Sequence, residues 1–170
     1  MEKKDLLKDV IKHIDIKSYN STELVDAMRN MSFTSRDTAR AADILMMMCK
    51  EKECTNILTL AGSTSAAGCM QVYVDMVRNK MIDVVVATGA SIIDMDLFEA
   101  LGFKHYIGEK ENVIPDTTLR DLYIDRIYDT YIDEEELQAC DHTTFEIANM
   151  LEARPYSSRE FIYEIGKWLH

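Results

Sequence analysis

Hydrophobic and polar positions change period several times along the chain, and each change marks an element. Near the start, Asn20 and Glu23 are spaced as a capping box ahead of Leu24, Val25 and Met28, which predicts a short helix. From about Ser35 to Glu51, the residues Ala41, Ile44, Leu45 and Met48 recur at i, i+3, i+4 and i+7. That period predicts a helix with one buried face and makes the run Met46 to Met48 core filler. Asn56-Ile-Leu-Thr-Leu-Ala-Gly62 is short, apolar and rich in β-formers, so it reads as a buried strand ending in glycine. Cys69, Val72, Tyr73 and Met76 then form the apolar stripe of a helix that ends near Asn79-Lys80. Ile82 to Thr88 is a second strand, nearly all apolar, as expected where both faces of a parallel sheet are covered. Gly89-Ala90-Ser91 closes it, and a further helix runs to about Leu101, stopped by Gly102.

Strand, helix, strand, helix with short small-residue turns is the pattern of a βαβ unit. The expected fold class is α/β, a Rossmann-like parallel sheet with flanking helices, in a single domain over residues 1–170. Beyond Gly102 the pattern is less regular. Lys104 to Gly108 reads as a short strand and Pro115 to Ile124 as a loop. Asp133 with Glu136, and Ser157 with Glu160, are each spaced as a capping box. The second box opens a terminal helix with Phe161, Ile165, Trp168 and Leu169 on one face, and that face needs a partner surface.

Composition narrows the function classes. The chain has 170 residues, 47% hydrophobic, enough to fill one core. Its net charge of −11 opposes nucleic acid and anionic membrane surfaces. The longest apolar run, Ile82 to Ile93, is interrupted by Asp83, Thr88, Gly89 and Ser91 and falls short of the roughly 20 residues a membrane span needs. The start, Met-Glu-Lys-Lys-Asp-Leu-Leu, lacks the apolar core of an export signal, so a cytoplasmic location is expected. Cys49, Cys54, Cys69 and Cys140 match no common zinc or redox spacing and read as reduced thiols, with Cys49 and Cys69 on apolar stripes. His105 and His142 have no spaced metal partners and read as structural or surface residues, and the run Asp133 to Glu136 as a solvated helix start. No metal site is expected.

In an open parallel sheet, ligands bind outside the carboxyl ends of the strands, where loops diverge and helix amino-termini present their N–H groups. Two such ends are readable. In Ala61-Gly-Ser-Thr-Ser-Ala-Ala-Gly68, Gly62 allows close backbone approach, the hydroxyls of Ser63, Thr64 and Ser65 can bind phosphate or cap the helix, and Ala66 keeps the first turn slim. It is neither GxGxxG nor a Walker A motif, so a cap and a phosphate cradle both remain open. The second end is Ala87-Thr-Gly-Ala-Ser-Ile-Ile-Asp-Met-Asp96, with Thr88, Gly89 and Ala90 at the turn. Asp94 and Asp96 follow; at a helix start the dipole alone accounts for them, and functionally they could hold a ribose hydroxyl or a polyamine ammonium.

These stretches resemble the deoxyhypusine synthase family. Leu58 to Gly68 and Met81 to Gly102 carry the resemblance, joined in family order by His105-Tyr-Ile-Gly108, Asp125-Arg-Ile-Tyr-Asp129 and Ser158 to Lys167. The resemblance implies an enzyme that uses NAD to oxidise spermidine and passes the butylamine portion, through a lysine imine, to a lysine of a translation factor or to another amine. It assigns NAD contacts to Ser63, Thr64 and Ser65 on the first turn and to Thr88, Gly89 and Ala90 on the second, with Gly62 and Ala66 beside them. Asp94 inherits a shared NAD and polyamine role, and Asp96 is its neighbour in substrate binding.

The same family carries its imine-forming lysine in a second half, and none of Lys104, Lys110 or Lys167 sits in a motif that matches it. No catalytic residue is therefore assigned. The expectation is a half that needs a complementary lysine-bearing chain or paralogue within a homo- or hetero-oligomer. The alternative is a catalytically inactive nucleotide-binding paralogue that acts as an interaction module.

Overall fold

The computed structural model describes residues 1–108 and 114–170; Lys110 lies outside the described residues. In chain order the elements are α1 (Lys3–Leu6), α2 (Thr22–Met28), α3 (Phe33–Lys50), β1 (Ile57–Leu60), α4 (Met70–Arg78), β2 (Val84–Ala87) and α5 (Gly89–Ser91). Then follow α6 (Phe98–Ala100), β3 (His105–Ile107), α7 (Asp116–Asp121), β4 (Ile124–Ile127), β5 (Thr130–Asp133), α8 (Glu134–Met150) and α9 (Ser158–Trp168). Ser65–Cys69 and Ile92–Leu97 are wound as π-turns, the latter joining α5 to α6 through helical backbone. The chain divides into two compact units: Met1–Lys12 with Ala61–Gly68 and Thr88–His170, and His13–Leu60 with Cys69–Ala87.

The second unit holds the βα-β core read from the sequence. β1 and β2 pair in parallel, Ile57 opposite Val84 through Leu60 opposite Ala87, with α4 as the connection. Its start is fixed by Asn56, buried, whose backbone N–H donates to Asp83 Oδ2 at 2.8 Å and whose side-chain amide donates to the Met81 carbonyl at 3.0 Å. On α4, Asp75 is buried and ion-paired to Lys17 at 2.7 Å, so the charge taken out of water keeps a partner.

Two expectations fail in this unit. Val84, Val85 and Val86 are exposed, as are Ile44, Leu45, Met46 and Met47 of α3, and only Ala39 of that helix is buried. The strand and helix periods are right, but a sheet of two strands leaves its apolar faces without cover among the described residues. Cys49 is exposed for the same reason. The Asn20–Glu23 capping box is also absent: Ser21 occupies the N-cap position of α2 without a side-chain capping bond, while Asn20 Oδ1 accepts from Thr22 N at 3.1 Å.

The first unit is built on an antiparallel sheet in the order β3-β5-β4. The amino-terminal strap lies along the free edge of β3, with Ile107 N donating to Asp9 O at 2.7 Å and Ile11 N to His105 O at 2.9 Å. One core joins Leu97, Phe98, Ile132, Cys140, Ile147 and Ile165 under the helices; another joins Leu6, Leu119, Ile124 and Tyr131. The segment read as a loop from Pro115 to Ile124 contains α7, whose Leu119 is 2% exposed. Its single apolar anchor per turn gave no helical period to find. Gly102, at φ 103°, stops α6 as expected. The Ser157–Glu160 box forms in both directions, whereas Asp133 caps α8 by accepting from Glu135 N and Glu136 N.

Candidate functional site

Both small-residue turns belong to the first unit, and the structure brings them together at one point. Gly62 takes φ 67°, a left-handed conformation, and nothing lies within 4 Å of where its Cβ would be. The Ser91 hydroxyl, 1% exposed, donates to the Gly62 carbonyl at 3.0 Å. Thr88 caps the start of α5, accepting from Ser91 N at 3.3 Å. Thr88, Gly89 and Ala90 themselves are exposed.

Past Gly62 the chain winds tightly. Ser63 and Thr64 are half-buried, and Ser65 and Ala66 are each 1% exposed. Gly68, at φ 95°, serves packing: a Cβ there would come within 3.0 Å of the Lys12 carbonyl oxygen. The Ser65 hydroxyl is buried with no hydrogen-bond partner among the described residues. A buried hydroxyl left unpaired costs about 1–3 kcal/mol, so the turn has capacity for one more polar contact.

Ser63, Thr64, Ala66 and Ala67 form one wall of a cavity of about 220 Å³, and residues 127–130, the turn between β4 and β5, form the other. That is below the roughly 300–1,000 Å³ of a drug-sized ligand site, and suits a phosphate with its sugar rather than a whole dinucleotide. Tyr128, at φ 55° and 88% exposed, and Asp129 stand at this turn. The sequence gave this wall no signal: a two-residue connection without glycine, asparagine or proline looks like any polar pair.

Asp94 and Asp96 lie further along the helix, two residues apart and so on different sides of it. Partial burial, and then the nearby charge of Asp141 on α8, push the Asp94 carboxyl above its usual range. Asp96 is half-buried. Neighbouring Cys140 is fully buried and its thiol is pushed up to about 11, first by burial and then by Asp141 and Asp94. It is therefore an inert thiol rather than a nucleophile.

A larger cavity, about 460 Å³, lies against α7 and the root of the hairpin, lined among others by Asp116, Arg120, Tyr123, Asp125, Arg126 and Glu134. Arg126 is held to Asp116 at 2.8 Å. Asp125 and Glu134 share a proton: the hydrogen bond to Glu134, with desolvation behind it, raises Asp125 to about 6, while Glu134 is lowered. His105 is fully buried, its Nδ1 2.6 Å from Glu99 Oε1 and its ring against Phe98, which fits a structural role. His142 pairs with Glu146 at 3.3 Å on the surface. Lys167 is ion-paired to Glu164 at 2.6 Å, and Lys104 is exposed. No cluster of metal-ligating groups occurs among the described residues.

A profile of the family described as deoxyhypusine synthase matches residues 23–170. The chain belongs to the deoxyhypusine synthase family. It is 66% identical over 168 residues to a deoxyhypusine synthase-like protein of Caulobacter vibrioides, covering 99% of this chain and 45% of that one. A deoxyhypusine synthase-like protein of Coxiella burnetii is 60% identical over 167 residues, covering 98% and 47%. A Methanosarcina acetivorans protein named Probable deoxyhypusine synthase 2 is 37% identical over 156 residues, covering 92% and 44%. The chain thus spans about half the length of the curated relatives it matches. The family match takes in both turns, the β4–β5 hairpin and α9, but not α1 or the strap along β3.

Proposed function

We propose that this chain supplies the NAD-binding turns of an aminobutyl transferase of the deoxyhypusine synthase family, with spermidine or a related polyamine as donor. The observation that carries this is the Ser63–Ala67 turn, whose Ser63, Thr64, Ala66 and Ala67 line a cavity of about 220 Å³. These groups fit the pyrophosphate end of a dinucleotide: Ser63, Thr64 and Ser65 offer hydroxyl donors, and Gly62 offers open backbone. Thr88, Gly89 and Ala90 would hold the same ligand from the second turn. Asp94, with Asp96 beyond it, would meet the ribose diol or a substrate ammonium. When bound, NAD supplies the hydride acceptor. An ammonium beside Asp94 would offset the burial and the Asp141 charge that raise its carboxyl.

The lysine that takes up the butylamine portion would come from a complementary chain or segment. A translation-factor lysine is the acceptor the family suggests. The exposed Val84–Val86 and Trp168 provide apolar area for such a partner or for an oligomer. No helix among the described residues is long and apolar enough to cross a membrane. The free thiols Cys49, Cys54, Cys69 and Cys140 suit a reducing compartment such as the cytoplasm.

The test is NAD titration by calorimetry on the chain, followed by transfer of label from spermidine in the presence of a chain carrying the rest of the relatives' length. Saturable NAD binding and NAD-dependent transfer are expected. Binding of NAD by neither the chain nor the mixture would end the proposal.

A further inference from the structure

We infer that Ser91 is a positioning residue for the ligand-holding turn: its hydroxyl sets the orientation of the Gly62–Ser63 peptide. This rests on the proposed reading of that turn as a dinucleotide site and adds a residue which that reading does not use.

The argument starts from the peptide unit. The Gly62 carbonyl and the Ser63 N–H belong to one planar trans amide and point in opposite directions. Whatever holds the carbonyl therefore aims the donor. Gly62 sits at φ 67° with no atom within 4 Å of its missing Cβ, so neither sterics nor packing at that residue fixes the plane. Glycine crosses between conformations at little cost. The restraint is the Ser91 hydroxyl, donating to the Gly62 carbonyl at 3.0 Å.

Ser91 in turn has little freedom. It is 1% exposed, its backbone N–H is capped by Thr88 Oγ1 at 3.3 Å, and its hydroxyl lies 3.3 Å from that same Thr88 oxygen. The cap of α5 and the clasp on the first turn thus use one small hydrogen-bonded group. Repositioning the second turn would release the first, so a ligand bridging both meets donors already arranged. Ser91 touches no ligand in this arrangement; it acts through the Gly62 carbonyl.

The experiment uses the full chain and NAD, with ADP-ribose as a probe of the phosphate end alone. Ser91→Ala removes the donor, Ser91→Cys keeps the shape with a weak donor, and Ser91→Thr keeps the hydroxyl. A lost hydrogen bond of ordinary strength predicts roughly five- to tenfold weaker binding of both NAD and ADP-ribose in the Ala and Cys variants. Hydrogen exchange at the Ser63 and Thr64 amides should quicken in both, with the Cys variant still unfolding cooperatively and melting within a few degrees of wild type. Ser91→Thr should restore binding and exchange together. If the wild-type chain binds NAD and the well-folded Cys variant binds it within twofold, with exchange unaltered, the inference is overturned. If the Thr variant melts like wild type yet binds like Ala, it is likewise overturned. Should the wild-type chain bind neither probe while the exchange effect stands, the clasp survives as geometry and the dinucleotide reading is what has failed.

Discussion

A single side-chain environment separates the four cysteines, and it makes a direct prediction. Cys49 is exposed on α3, whereas Cys140 is fully buried with its thiol pushed up to about 11 and its Sγ 3.4 Å from the Ile93 carbonyl. Only thiolate reacts with an alkylating agent, so at pH 8 Cys49 should be modified within minutes while Cys140 stays intact until denaturant is added. Mass spectrometry of iodoacetamide-treated protein reads this; early labelling of Cys140 would contradict the core packing described. Tyr128 gives a second case. A β-carbon at φ 55° costs about 1 kcal/mol or so, and asparagine tolerates that region better. Tyr128→Asn should therefore raise the melting temperature by a few degrees. Tyr128 lines the small cavity, so the same variant should bind NAD less well if that cavity holds ligand. At this scale the sequence picked out the two turns that the structure brings together, because glycine and serine clusters after strands announce themselves. It missed Ser91, since a serine one turn into a helix looks like an ordinary solvated residue until its burial is known.

Among elements, the β4–β5 hairpin and the start of α8 form a pH-sensitive joint. Asp125 on β4 titrates near 6 in the folded chain against an ordinary 3.8, with the hydrogen bond to Glu134 as the first cause. Between those values the folded chain binds more protons than the unfolded one, so this group's contribution to stability falls as pH rises through the window. Glu134 is shifted the other way, so its contribution grows as pH rises past its ordinary 4.5 and opposes the trend only in the acid part of the window. Asp125→Asn keeps a donor toward Glu134 and removes the titration. Its melting temperature should vary less than wild type between pH 5 and 7.5 and lie above wild type at pH 8; parallel melting curves for the two would refute the shared proton. Gly108 ties β3 to the same joint. Its N–H donates to the Asp129 carbonyl at 2.7 Å, and a Cβ there would come within 2.9 Å of the Tyr131 ring. Because Tyr131 is 2% exposed and cannot swing away, Gly108→Ala should destabilise by about 1–3 kcal/mol in denaturant unfolding. Parallel strands, the Ser157 cap and the Gly102 stop were legible because each has a local signal. Of the antiparallel sheet only β3 was legible, in the Lys104–Gly108 run; β4 and β5 carry no marked apolar alternation or turn signal, and the pairing of β3 with β5 spans a long stretch of sequence.

For the whole molecule, the decisive contrast is between elements that have the period of a core and surfaces that are left open. α3 repeats apolar residues like a buried helix, yet Ile44, Leu45, Met46 and Met47 are exposed; β2 reads as a covered strand, yet Val84 to Val86 are exposed too. Sequence patterning reports what a chain is built to bury, and the structure reports what it buries by itself. Where the two disagree over contiguous apolar surface, a partner is the usual reason. The chain also spans only about half the length of the relatives named above, 44–47% of each. Supplying the rest of that length should then bury the open valines and methionines. Hydrogen exchange at β1, β2 and α3, compared with and without the added chain, should slow by at least tenfold there and little in the Phe98 core, which is closed already. Protection confined to α9 instead would place the partner on Trp168 and leave the parallel strands to cover themselves by self-association, which sedimentation of the chain alone would reveal as a concentration-dependent mass.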